Sequence, residues 1–405
     1  MDVEKIRQDF PVLQKKFGGK PLIYFDNACQ SLRPRQVIDE INRYYNEFPA
    51  CGGRSMHKLG KRVTEEMIIA RAAVAKFFGA KKPEEIVFTR NTTEAINLVA
   101  NSLGFKEGDV VLTTDKEHNS NLIPWQMLAN SKGIKRVITK SGKDNTFSME
   151  NFQKAMSKNV KLVSMVHTSN LDGTTIPAKE IIKIAHENGA LVLLDAAQSA
   201  PHKDLNAKKL DVDFFAASGH KMLGPSGMGI LYGKYNLLEN MTPFITGGDT
   251  VIDTTYTSAK FEKPPAKFEA GLQDYAGMMG FAAAVQYLNN VGIENIERHE
   301  IELNKKLTEG IINLPGLSII GPQDASLRGG ITSFNINGMD PHEIAMIMDQ
   351  AANIAIRSGA HCVHSWFNEH NMKGSARSSL YLYNTKEEVD IFIENLGKIV
   401  KFLKL

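Results

Sequence analysis

Two short apolar runs constrain this chain more than any other feature. Leu191-Val-Leu-Leu194 ends on Asp195, and Phe214-Phe-Ala-Ala217 leads into Ser218-Gly-His-Lys221. Neither run alternates polar with apolar residues, so each reads as a strand buried on both faces, the pattern of a parallel sheet covered by helices. The first strand delivers a carboxylate at its C-terminal end, where it can keep a pyridine nitrogen protonated. The second enters a Gly-containing turn that presents an amine able to form a Schiff base. A strand-end cap and a solvated loop lysine would explain either residue alone. The pair, in this order, points to pyridoxal 5'-phosphate (PLP), with Lys221 as its covalent anchor and Asp195 as the partner of its ring nitrogen.

The surrounding pattern agrees with an α/β fold. Glu94 to Leu103 reads as a helix, and Val110–Thr113, Arg136–Thr139 and Leu162–Val166 read as strands. Between Ala178 and Asn188, Ile181, Ile184 and Ala185 share a helical face, and Gly189 offers a C-cap before the Leu191 strand. Such alternation predicts a mostly parallel central sheet with helices on both faces, and ligands on such sheets sit at strand C-terminal ends, where Asp195 falls. After about residue 290 the texture changes. A charged helix over Ile293 to Asn313 stops at Leu314-Pro-Gly316. Strand-like runs follow at Thr332–Ile336 and Ile354–Arg357, with a helix over Pro341–Asp349 between them and a terminal helix over Lys386 to Leu403.

Several strings together carry a family resemblance that spans nearly the whole chain: Tyr24-Phe-Asp-Asn-Ala28, Phe88-Thr-Arg-Asn-Thr-Thr-Glu-Ala-Ile-Asn-Leu98, Glu117-His-Asn-Ser-Asn-Leu-Ile-Pro-Trp-Gln126, Ser218-Gly-His-Lys-Met-Leu-Gly-Pro225, Arg357-Ser-Gly-Ala-His-Cys362 and Arg377-Ser-Ser-Leu-Tyr-Leu-Tyr-Asn384. The sequence resembles a cysteine desulfurase of the Suf type, within the class V aminotransferases. The resemblance implies PLP fold type I, the aspartate aminotransferase-like fold. It implies a large PLP-binding domain over 21–292 and a smaller α+β domain from 1–20 and 293–405.

It also implies roles for individual residues. Thr92, Thr93, Ser218 and His220 match contacts to the cofactor phosphate, and Asn91-Thr-Thr-Glu94 opens a helix whose N-terminal amides suit an anion. An N-cap with an acidic first turn would look the same. Asn170 and Gln198 match partners of the ring hydroxyl. His118 matches the histidine that stacks on the ring and takes part in proton transfer. Arg377 matches the arginine that receives the substrate carboxylate, which its planar fork suits; a surface ion pair with Glu387 or Glu388 is the alternative.

Cys362 turns the reading from aminotransferase to desulfurase. A thiolate must attack the substrate sulfur, giving alanine and an enzyme persulfide. The stretch before it, Ser358-Gly-Ala-His361, is polar and loop-like, and its short separation from Arg377 resembles the short-loop members of the family. A buried inert thiol is the ordinary alternative.

The chain departs from the family pattern at four places. Ala28-Cys29-Gln30-Ser31 stands for Ala-Ala-Thr-Thr, Cys51-Gly-Gly-Arg54 for Asn-x-His-Arg, Asn119 for a second histidine, and Glu269-Ala-Gly-Leu-Gln273 lacks the Thr that reaches a neighbouring subunit's phosphate. The two extra cysteines are expected near the cofactor entrance, either as packing thiols or as a pair that relays sulfur, forms a disulfide or holds a metal with an outside donor. No metal is assigned.

Composition bounds the partners. At 405 residues, 42% hydrophobic and 23% charged, the chain can bury a large core. A net charge of +3 argues for neither nucleic acid nor an anionic membrane, and Lys203 with Lys208-Lys209 and the Lys398 to Lys404 tail read as solvated faces. No apolar stretch is long enough to span a bilayer and the first residues lack a signal pattern, so a cytoplasmic location is expected. Three cysteines make no disulfide framework. The expectation is a homodimer acting on L-cysteine and passing sulfur to an acceptor or iron–sulfur scaffold protein. A selenocysteine lyase, another class V transaminase or epimerase, and a non-catalytic sulfur carrier retaining PLP are the alternatives.

Overall fold

The computed structural model describes residues 1–402. Leu403 and Lys404, the ends of the expected terminal helix and basic tail, lie outside the described residues. The centre is a seven-stranded sheet of β1 (Ile86–Thr89), β2 (Val110–Thr114), β3 (Lys135–Thr139), β4 (Val160–Val166), β5 (Leu191–Asp195), β6 (Phe214–Ser218) and β7 (Gly229–Gly233). Their order across the sheet is β1-β7-β6-β5-β4-β2-β3, and only β7 runs antiparallel to its neighbours.

The apolar runs behave as their pattern predicts. Val192 and Leu194 of β5, with Phe215 and Ala217 of β6, enter one core under the helices Lys58–Phe77, Ala178–Glu187 and Tyr275–Val291. Leu193, Phe214 and Ala216 enter a second core on the opposite face, with Ile96, Val99 and Trp125. Successive side chains of a strand point to opposite faces, so a sheet with a core on each side needs continuous apolar runs.

A second, four-stranded sheet lies toward the C-terminus, built from β8 (Leu317–Ile320), β9 (Ile331–Ile336), β10 (Arg357–Gly359) and β11 (Ser375–Ser379) in the order β8-β9-β11-β10, all antiparallel. Helices Ile293–Ile311 and Lys386–Phe402 cover it with Leu303, Leu307, Phe392 and Leu396. The expected strand over Ile354–Arg357 is two strands. Ile354–Ala355 pairs in parallel with Ile23–Tyr24, while Arg357 begins β10 against β11. A single run thus changes partners at Ile356. Ile23 and Phe25 accordingly share the C-terminal apolar cluster, whereas Phe10 packs into the large core beside Tyr287 and Tyr383. No helix among the described residues is long and apolar enough to cross a membrane.

Candidate active site

The C-terminal ends of β4, β5 and β6, the N-terminus of helix Thr92–Ser102 and the loop carrying Cys362 surround a cavity of about 220 Å³. All eleven residues singled out from sequence line it: Thr92, Thr93, His118, Asn170, Asp195, Gln198, Ser218, His220, Lys221, Cys362 and Arg377.

At one end, helix Thr92–Ser102 starts at Asn91, whose side-chain oxygen accepts from the Glu94 amide at 3.0 Å. The Thr92 amide donates to the Ser218 hydroxyl at 2.9 Å, and the Thr92 and Ser218 hydroxyls lie 2.7 Å apart. The Thr93 and Ser120 hydroxyls form a second such pair at 2.7 Å. This close approach requires glycine on β7, since a Cβ at Gly229 would sit 2.7 Å from the Asn91 Cα. Hydroxyls gathered at a helix N-terminus suit a phosphate. His220 beside them is held neutral, its imidazole pulled down to about 4 by burial first and then by the charges of Lys221 and Arg33.

In the middle, Asp195 is 3% exposed and accepts from the Ala197 amide at 3.0 Å. Burial raises its carboxyl, while the Ala197 amide and Lys221 pull the other way. Lys221 closes the turn Gly219–Lys221; burial lowers its amine most, and Asp195, Cys29 and Cys362 oppose that. Asn170 donates to the His361 carbonyl at 2.7 Å and Gln198 to the Ala28 carbonyl at 2.6 Å. Both of these cavity-lining amides keep a buried oxygen without a partner. Two orphaned acceptors need a donor, and a ring hydroxyl supplies one. The donors for an anion, the amine, the buried carboxylate and these acceptors together fit PLP.

His118 accepts from the Ser120 amide through Nδ1 at 3.1 Å, which leaves its proton on Nε2. Burial, then Lys221 and Arg377, hold its imidazole down at about 3. The turn beneath it is anchored by Glu117, whose carboxylate takes the Thr114 hydroxyl at 2.6 Å, the Asn121 amide at 2.6 Å and the Val166 N–H at 2.9 Å.

Arg377, on β11, is 2% exposed. Its Nη1 donates to the Asn170 carbonyl at 2.9 Å, its Nη2 lies 3.5 Å from Asp26, and its Nε has no partner. The Nε–Nη2 edge, with Nε unpartnered and Nη2 engaged only by the long contact to Asp26, is the one a carboxylate binds in bidentate fashion. The surface ion pair with Glu387 or Glu388 does not form, because Glu388 pairs with Arg7 at 2.8 Å instead. Cys362 is exposed, and it and His361 both adopt left-handed backbone, at φ 59° and 48°. Hydrogen bonds hold that strained turn: Asn119 N–H to the Cys362 carbonyl at 2.8 Å, and a His361–Ser375 side-chain contact at 2.8 Å.

Residues 23–392 match the family described as Aminotransferase class-V. The chain belongs to this family. It is 43% identical to a probable cysteine desulfurase of Synechocystis sp., covering 98% of this chain and 95% of the relative. It is 38% identical to a cysteine desulfurase of Haloferax volcanii, covering 97% and 96%. The apo structure of a cysteine desulfurase from Thermococcus onnurineus NA1 superposes with a TM-score of 0.93 at 38% identity, covering 98% of each chain. The S-sulfonic acid form of the cysteine desulfurase CsdA from Escherichia coli gives 0.91 at 29% identity over 99% of each. These likenesses agree with the aspartate aminotransferase-like, mostly parallel α/β fold expected from the sequence.

Some members of this class-V site were not legible in sequence. Asp26 and Arg357 reach the site only through the second sheet, and Ser120 only through the turn after Glu117. In the sequence Asn119 reads only as a substitution, yet it ties the His118 turn to the Cys362 loop and to His364, 3.0 Å away. The two extra cysteines separate. Cys29 lines the cavity, whereas Cys51 lies off its wall, exposed, with its Sγ 3.5 Å from the Gly52 carbonyl. Within one chain Cys29 is thus the one of the two on the cavity wall, and the Tyr44 hydroxyl donates to the Ala50 carbonyl next to Cys51 at 3.2 Å.

Proposed function

We propose that this class-V protein is a PLP-dependent cysteine desulfurase that converts L-cysteine to L-alanine and leaves the sulfur as a persulfide on Cys362. The observation that carries the reading is one cavity wall shared by Lys221, Asp195, Arg377 and Cys362. Bound there, PLP supplies an electron sink for the α-carbon of an amino acid.

The chain's own residues divide the rest. Thr92, Thr93, Ser218 and His220 would hold the phosphate, Asn170 or Gln198 would accept from the ring hydroxyl, and Asp195 would partner the ring nitrogen. Lys221 would anchor the cofactor and move the proton at the substrate α-carbon, and neutral His118 would lie beside the ring with its Nε2 proton free to donate. Arg377 receives the substrate carboxylate on its Nε–Nη2 edge. Cys362 then attacks the substrate sulfur: an S–S bond forms, the C–S bond breaks, and its electron pair stays with the carbon fragment, which is protonated to alanine. No outside oxidant is required.

The same proposal includes the division into units over 21–292 and over 1–20 with 293–405, a cytoplasmic location, a homodimer, and a sulfur-acceptor or iron–sulfur scaffold protein as partner. Exposed Ile252 and Tyr256, on the hairpin formed by Val251–Thr254 and Ala259–Phe261, support an interface there. Incubating purified, cofactor-loaded protein with L-cysteine and a reductant tests the reaction. Alanine and sulfide in matched amounts are expected, and keto-acid formation without sulfide would overturn it.

A further inference from the structure

Three cysteines are free, and two of them face the site. Cys29 and Cys362 line the same cavity from distant parts of the sequence. Cys29 lies in the tight turn after Ile23–Tyr24, where its N–H donates to the Asp26 carbonyl at 3.2 Å. That turn is pinned on both sides: Gln198 donates to the Ala28 carbonyl at 2.6 Å, and the Ala28 N–H donates to the Ser379 hydroxyl at 2.9 Å. On the Cys362 side, the Asn119 N–H donates to the Cys362 carbonyl at 2.8 Å. The backbone is thus held close to each of the two cysteines that line the cavity.

Charge at the cavity favours anionic ligands. The Lys221 amine feels both sulfurs, and Arg377 feels Cys29 as well as Asp26. Arg377 is buried, and its unpartnered Nε leaves it able to hold an anion. An anionic persulfide on Cys29 would thus lie within the field of a buried guanidinium on the same cavity wall. Cys51 has none of this, being off the wall and beside Gly52.

We propose that Cys29 is a second sulfur carrier, which takes the outer sulfur from a persulfide on Cys362 and keeps it inside the cavity. This rests on the desulfurase reading and extends it. The Cys29 sulfur attacks the outer sulfur of the Cys362 persulfide. The S–S bond to Cys362 breaks as the bond to Cys29 forms, and the Cys29 proton ends on the Cys362 sulfur. One persulfide and one thiol become one persulfide and one thiol, with no net oxidation. Cys362 is then free for another substrate molecule, so each chain stores a second sulfane sulfur.

The test is a pulse of L-cysteine on the holoenzyme without reductant, quenched with iodoacetamide, with alanine counted and persulfides mapped by peptide mass spectrometry. The wild type should carry persulfide on both Cys29 and Cys362 and release a burst of about two alanines per chain. Cys29→Ser should carry it on Cys362 alone, with the burst roughly halved. Cys29→Ala, made in parallel, should match it, with retained borohydride-reducible cofactor showing that the site is intact. Cys51→Ser should keep the wild-type distribution, and Cys362→Ser should label neither thiol. Wild-type persulfide on Cys362 alone, with an unchanged burst in Cys29→Ser, would overturn the relay and leave the desulfurase reading standing. Label on Cys29 in Cys362→Ser would overturn the order of transfer. A wild type that yields neither alanine nor persulfide would overturn the desulfurase reading itself.

Discussion

Arg377 donates from Nη1 to the Asn170 carbonyl at 2.9 Å, joining a strand of the C-terminal sheet to the loop that leaves the central sheet. Asn170 in turn donates to the carbonyl of His361, next to Cys362. The residue proposed for the substrate carboxylate, a proposed cofactor contact and the proposed sulfur acceptor therefore share one hydrogen-bonded chain. Removing Arg377 should be felt in substrate affinity before anything else. Arg377→Ala should raise KM for cysteine about 10–100-fold, the worth of a charge-assisted pair, while the reducible cofactor linkage remains. Arg377→Lys should recover only part, because a point charge cannot occupy the Nε–Nη2 edge. Steady-state kinetics with a borohydride check decide it.

Lys221→Ala should remove the covalent cofactor linkage. The wild type should be yellow and should fix the cofactor on borohydride treatment, at a peptide containing Lys221. The variant is expected to release its cofactor on denaturation after the same treatment. An unchanged reduced adduct would move the linkage to another lysine.

Cys362→Ser should separate cofactor chemistry from sulfur transfer. The variant should keep the reducible linkage and still bind cysteine, yet lose at least about a hundredfold in alanine release, because the serine hydroxyl is a far poorer nucleophile toward sulfur. Mass spectrometry should find no persulfide. Wild-type turnover would remove the mechanism as written.

Glu117 makes stability depend on pH. Burial pushes its carboxyl from 4.5 to about 7, against hydrogen bonds from Thr114, Asn121 and Val166. A pKa raised on folding contributes stability that is fully present below the unfolded value and lost as pH rises through the folded one. Relative to Glu117→Gln, the wild type should lose on the order of 3 kcal/mol between about pH 4.5 and about pH 8. Denaturant melts of both proteins at the two pH values would show the difference closing; parallel curves would contradict it.

Glu269 is the buried partner of Arg71. Its two oxygens accept from the guanidinium at 2.7 and 2.8 Å, and one also accepts from the Phe88 N–H at 2.7 Å. Glu269→Ala leaves a buried cation unpaired and should cost about 3–5 kcal/mol. Changing Arg71 and Glu269 together to apolar residues should recover part of that loss in the same melts.

The sequence by itself determined the central sheet and which residues gather at its rim. Continuous apolar runs such as Leu191–Leu194 and Phe214–Ala217 can be satisfied only with a core on each face, and strand ends then deliver Asp195 and Ser218 to one edge. Tertiary structure decided what depends on contacts between distant segments. The run Ile354–Arg357 has one pattern but two sheet partners, and no local signal marks the change at Ile356. Arg377 had plausible partners in Glu387 and Glu388 nearby, and only packing gave Glu388 to Arg7 and Arg377 to Asn170 and Asp26. Cys29 and Cys51 read alike as isolated thiols. What separates them is that the turn after Tyr24 packs against Gln198 at the end of β5, whereas the Cys51 segment packs among helices, and a thiol takes its chemistry from the wall it faces.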